Sequence, residues 1–198
     1  VRIDLKLRVR GKYRAKKEIC KFPPLKLNFK EKSLAGTIFD GEDKLKLVTH
    51  CQGSGKYEQF VLLEYLNYRM QNLFNDYSLR ARLATVEYVD SDKGKVIATK
   101  LGFFIEDKDK MAFRIGGERL DIPRVEKVEY EQSALHIATV FEYLIGNTDF
   151  SVILGPEGSS CCHNIIPIRL ASGLIIPVPY DFDASGIINP PYLSPPEH

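Results

Sequence analysis

The spacing of apolar residues switches between two periods along this chain, and the order of the switches limits the folds open to it. Ile3, Leu5, Leu7 and Val9 alternate with Arg2, Asp4, Lys6, Arg8 and Arg10, the period of a half-buried strand with a solvated, mostly cationic face. "PPLKLNFK" and "KLKLVTHC" read as two further strands, with Pro23 and Pro24 at the mouth of the first. From Tyr57 to Phe74 the period becomes helical. Leu62, Leu66, Met70 and Leu73 fall on one stripe, with Leu63 and Phe74 beside it, which predicts an amphipathic helix. "RARLATVEYVD" and "KVIATKLGFFIED" then make the two arms of a hairpin turning at "SDKG".

The stretch "KDKMAFRIGGERLDIP" reads as polar loop, with Gly116-Gly117 and Pro123 marking a boundary. A second helix follows. Ser133 is its candidate N-cap, Leu135, Ala138, Phe141, Leu144 and Ile145 form its stripe, and Gly146 ends it. A last hairpin, "IIPIRL" through "ASG" into "LIIPVPY", precedes a proline-rich tail, "PPYLSPPEH". The order predicts an α+β chain, and 198 residues with 44% hydrophobic content can bury one core or two small ones.

A net charge of +2 does not suit a general nucleic-acid binder, and no run of apolar residues is long enough to span a membrane. The first residue is not methionine and no signal peptide is evident, so the start reads as processed or cut. Cys20 and Cys51 are either bridged, which would favour export or the cell surface, or two buried free thiols, which would leave a cytoplasmic location open. Cys161 and Cys162 are adjacent and are not expected to bond each other.

The chemistry gathers near the end. With the last turn at Ala171–Gly173, Asn164 falls nearly opposite Asp181, so an amide oxygen and a carboxylate meet at the open end of one hairpin. Hard oxygen ligands of this kind suit magnesium, completed by phosphate and water. Asp149, in "GNTD" after the second helix, leads back toward the same end. Acid, asparagine, acid on this succession of elements is the order of kinase-type phosphoryl transfer. There the first Asp orients the acceptor hydroxyl, and the other two residues hold the metal. "GSGK" at 53–56 is not a P-loop, since His50 replaces its first glycine and Tyr57 its Ser/Thr. "CCH" at 161–163 lacks the fourth ligand of a structural zinc site.

"GNTD", "HN" and "PYDFD", together with "RGKYR", "FPPLKLNFK", "LKLVTHC", "EYLNYR" and "FFIED", resemble the atypical kinases of the spore-coat protein H family and their bacterial relatives. HipA-type toxin kinases are more remote cousins. The resemblance implies a two-lobed kinase-like fold. Residues 1–107 would form a β-rich nucleotide-binding lobe and 108–198 a shorter, incomplete catalytic lobe. It implies Asp149 as catalytic aspartate, Asn164 and Asp181 as metal ligands, and Phe182 in the place of the phenylalanine of the Asp-Phe-Gly triplet. It also implies a phosphate-binding lysine, Lys46 with Lys26 as the alternative, oriented by Glu64 on the first helix. Arg10-Gly11-Lys12 is the candidate turn over the phosphates, and "FFIED" stands where the family has its adenine hinge. The chain departs from ordinary protein kinases in the long insertion "FSVILGPEGSSCCH" between Asp149 and Asn164.

The expected activity is therefore transfer of phosphate from ATP, with Mg2+ or Mn2+, to a protein hydroxyl. The alternatives are a catalytically silent kinase-fold module that binds nucleotide or protein, and an AMP transferase.

Overall fold

The computed structural model describes residues 2–11, 13–30 and 34–191. Lys12 of the expected phosphate turn and most of the proline-rich tail lie outside them. The described chain is α+β. It runs β1 (Leu5–Val9), β2 (Leu25–Phe29), β3 (Lys44–Val48), α1 (Gly55–Phe74), β4 (Ala81–Val89) and β5 (Val96–Ile105). It continues through α2 (Lys108–Arg114), β6 (Gly117–Arg119), α3 (Gln132–Leu144), β7 (Ile165–Leu170) and β8 (Ile175–Pro179). Two compact units result: Val1–Tyr65 with Ala81–Asp107, and Leu66–Arg80 with Lys108–His198.

The first unit is built on a five-stranded antiparallel sheet in the order β1-β2-β3-β5-β4. Register pairs Leu7 with Leu27 and Leu27 with Leu45, so strand alternation sends these leucines to one face. There Leu27, Phe29, Leu34, Leu45 and Leu47 form a buried cluster, and Phe39 packs between Phe29 and Phe104 at 5.2 and 5.7 Å. The cations take the other face, in the rows Arg8–Lys26–Lys46 and Lys6–Asn28–Lys44. The first turn of α1 is tied to β5, because Glu58 accepts from Lys100 Nζ at 2.8 Å and from the Leu101 amide at 3.1 Å. Gly102 permits the close approach of β3: a Cβ there would stand 2.8 Å from the Val48 carbonyl oxygen. Cys20 and Cys51 are disulfide-bonded, with Cα atoms 4.5 Å apart, which settles that alternative.

The second unit holds the sheet β6-β7-β8, the helices α2 and α3, and the C-terminal part of α1. Its core gathers Val125, Tyr130, Leu135, Val152, Ile165 and Ile175, with the Tyr130 hydroxyl donating to the Val152 carbonyl at 2.7 Å. Here the structure corrects four expectations. The stretch read as loop contains α2 and β6. Two buried residues, Met111 and Ala112, suffice to dock a seven-residue helix among charges, and β6 is ordered by pairing with β7. The N-cap of α3 is Glu131, not Ser133; its carboxylate accepts the amides of Ser133 and Ala134 at 3.1 and 2.6 Å, which holds it below the usual range. Cys161 and Cys162, adjacent in sequence and not expected to bond, are paired with each other.

The fourth correction concerns α1. None of the apolar residues read as its stripe is buried, and Leu73 is 85% exposed. The buried side carries Glu64, Asn67, Tyr68 and Gln71 at helical spacing. Burial of three polar side chains means that this face is shaped by hydrogen bonding, not by apolar area alone. No helix among the described residues is long and apolar enough to cross a membrane.

Candidate functional site

The site begins where α3 stops. Ile145 closes the helix and Gly146, at φ 63°, turns the chain through the left-handed region that a side chain disfavours. A Cβ on Gly146 would also press on Gly186 Cα at 3.3 Å. Gly186 and Ile187 donate their amides to the carbonyls of Gly146 and Ile145 at 2.9 and 3.1 Å. The segment that follows Asp181 is thereby stitched to the segment that precedes Asp149.

Asp149 is held on several sides. Its amide donates to Asn147 Oδ1 at 3.1 Å, a local turn of the kind asparagine favours. Asn164 Nδ2 donates to the Asp149 carbonyl at 2.7 Å and to its Oδ2 at 3.0 Å. His163 Nε2 lies 2.7 Å from Oδ1. The insertion between Asp149 and Asn164 is closed at its base, where the Ser151 amide donates to the His163 carbonyl at 2.9 Å. That closure returns His163 and Asn164 to Asp149 despite their distance in sequence.

Asn164 and Asp181 occupy the same end of the β7–β8 hairpin, one residue from direct opposition. Ile165 pairs with Pro179 and the Tyr180 amide donates to the Asn164 carbonyl at 3.0 Å, so Tyr180 faces Asn164 and Asp181 is the next residue out. The turn is the expected Ala171–Gly173, closed by the Leu170 amide donating to the Leu174 carbonyl. Both candidate ligands have left-handed backbones, Asn164 at φ 52° and Asp181 at φ 65°. Asp and Asn tolerate that region better than other side chains.

The polar face of α1 now has a purpose within the second unit. The Asp181 amide donates to the Tyr68 hydroxyl at 3.0 Å, Gln71 Nε2 to the Pro179 carbonyl at 3.2 Å, and Asn67 Nδ2 to Ser185 Oγ at 3.0 Å. Phe182 is fully buried, its ring 4.7 Å from Tyr68 and 5.4 Å from Phe141.

In the first unit Lys26 and Lys46 are directly opposed across β2–β3 and so project from one face. Like charges in that arrangement repel and favour an anion beside them. Glu64 is buried, with Oε2 3.7 Å from Arg14 Nη1. The structure thus brings Asp149 against Asn164, Asp181 to the same hairpin end, and Lys26 beside Lys46. It adds His163, Asn147, Tyr68 and Arg14. His163 was signalled only by standing next to Asn164, and Arg14 only as the last residue of "RGKYR".

Among the described residues no group of three or more His, Cys, Asp or Glu side chains is placed to hold a metal. Asn164 and Asp181 offer one amide oxygen and one carboxylate, a donor set that fits magnesium when phosphate and water complete its shell. No family model, no curated protein and no solved structure matches the chain.

Proposed function

We propose that this chain is a kinase-like phosphotransferase that uses ATP with magnesium or manganese and acts on a protein hydroxyl. The observation that carries the reading is the double contact of Asn164 with Asp149, at the hairpin end that also bears Asp181. A five-stranded sheet with one helix between β3 and β4 supports taking the first unit as the nucleotide-binding lobe of a kinase-like fold. The succession α3, Asp149, Asn164, β7, β8, Asp181 supports taking the second as the catalytic lobe.

In this reading the Asp149 carboxylate orients the acceptor hydroxyl, and bonds from Asn164 and to Asn147 keep its backbone from rotating away. His163 holds Oδ1 and leaves Oδ2 to Asn164. Asn164 and Asp181 are the residues that would hold the cation, which when bound supplies charge neutralisation for the transferring phosphoryl group. Lys46, with Lys26 as the alternative, is the lysine proposed for the nucleotide phosphates, and Glu64 on α1, 3.7 Å from Arg14, is the acid proposed to orient the cations of that lobe.

Incubation with ATP labelled at the α or the γ phosphorus, with and without magnesium, tests the proposal. Protein-bound γ label that needs the metal supports it. Bound α label identifies an AMP transferase, and thermal protection by ATP with no label transferred identifies a silent binding module.

A further inference from the structure

Glu142 is a carboxyl on α3 with none of its surface exposed. Its Oε2 accepts from Asn147 Nδ2 at 2.8 Å, while Oε1 has no hydrogen-bond partner among the described residues. The backbone repeats the tie, since the Asn147 amide donates to the Glu142 carbonyl at 2.9 Å. Asn147 is itself only 3% exposed and uses its remaining polar atom, Oδ1, to accept the Asp149 amide. An apolar side chain at 142 would fill this part of the core without the cost of desolvating a carboxyl. What the carboxyl adds is a fixed connection, through one asparagine side chain, to the residue read above as orienting the acceptor.

We propose that Glu142 is a positioning residue: by holding the Asn147 side chain it sets the loop that presents Asp149. The inference rests on the reading of Asp149 as the acceptor-orienting group. Burial is the main cause that pushes the Glu142 carboxyl up to about 8, and the neighbouring Asp149 charge pushes the same way against the opposing Asn147 bond. The carboxyl is therefore neutral at pH 7, and no second negative charge stands behind Asp149. Ionisation above about pH 8 would place one there and repel the Asp149 carboxylate. Glutamine reproduces the neutral shape and the acceptor for Asn147; leucine keeps the volume and removes the acceptor.

The test uses the full chain, with self-phosphorylation from γ-labelled ATP as the activity. Glu142→Leu is expected to lower kcat about a hundredfold with the KM for ATP unchanged, since misplacement of a reacting group acts on the rate and not on nucleotide binding. Glu142→Gln is expected to keep the wild-type rate and to abolish the fall in rate above about pH 8. An unchanged kcat in Glu142→Leu, or a Glu142→Gln profile that falls like wild type, overturns the proposal. Should Glu142→Leu fail to fold, Asn147→Ser takes its place with the same expected loss and the same overturning result. Should the wild type transfer no phosphate, the reading of Asp149 fails by itself, and the backbone amide resonance of Asp149 decides the tie. It is expected to shift through about pH 8 in wild type and to stay still in Glu142→Gln. A wild-type resonance that does not move there overturns the connection.

Discussion

The hydroxyl of Tyr68 accepts the backbone amide of Asp181 at 3.0 Å, linking the buried face of α1 to a residue in the left-handed region. The interaction satisfies an amide that the turn withdraws from the hairpin ladder. Tyr68→Phe keeps the ring packed on Phe182 and removes that bond, at a cost of about 1 kcal/mol. The expected outcome in chemical denaturation is a lower midpoint with an unchanged slope, and magnesium should bind ATP-loaded protein several-fold more weakly. Unchanged magnesium affinity would detach Tyr68 from the site.

Asp181→Asn isolates the charge from the backbone. Asparagine accepts left-handed geometry as readily as aspartate, so the melting temperature should stay near wild type. Calorimetry with ATP should then show no gain in affinity on adding magnesium, where wild type shows one. Equal affinity with and without metal in the wild type would remove Asn164 and Asp181 as ligands.

His50 makes stability depend on pH. Its ring is 1% exposed, 4.4 Å from Phe22 and 5.5 Å from Tyr88, and neither ring nitrogen has a hydrogen-bond partner among the described residues. Burial, helped by Lys100, holds the imidazole below its ordinary value of 6.5. The folded state therefore takes up a proton less readily than the unfolded chain. The associated stability is present above pH 6.5 and is lost as pH falls toward the lower folded value. His50→Phe should retain stability through that window while wild type loses it, as read by unfolding midpoints. Parallel pH dependence in the two proteins would contradict this.

The Cys20–Cys51 bond closes a loop with a sequence separation of 31. Loop-closure entropy in the unfolded chain gives such a bond about 3–4 kcal/mol. The double substitution Cys20→Ala and Cys51→Ala should lower the melting temperature by a corresponding amount. An unchanged melting temperature in the double variant would show the bond to be energetically idle.

Much of the first unit was legible because its signals are local. Alternation set β1, β2 and β3, and the "SDKG" turn set the β4–β5 hairpin. Gly146 ended α3 for the reason its sequence context indicated. What escaped was set by tertiary partners. The buried side of α1 is polar because Asn67, Tyr68 and Gln71 bond to groups more than a hundred residues away, which no periodicity records. β6 is three residues long and exists through its pairing with β7. Of the candidate site, the order Asp149, Asn164, Asp181 was readable. His163 and the Glu142–Asn147 pair required the fold.

The most direct measurement is single-turnover transfer of γ-labelled phosphate by Asp149→Ala beside wild type, with ATP affinity measured on the same samples. Asp149 touches Asn164 and His163 and lies on the acceptor side of the proposed chemistry. The expected result is loss of transfer by at least about a thousandfold with ATP affinity retained, as for removal of a group on which catalysis depends. Transfer persisting in Asp149→Ala at the wild-type rate would contradict the assignment of Asp149 and, with it, the kinase-like mechanism.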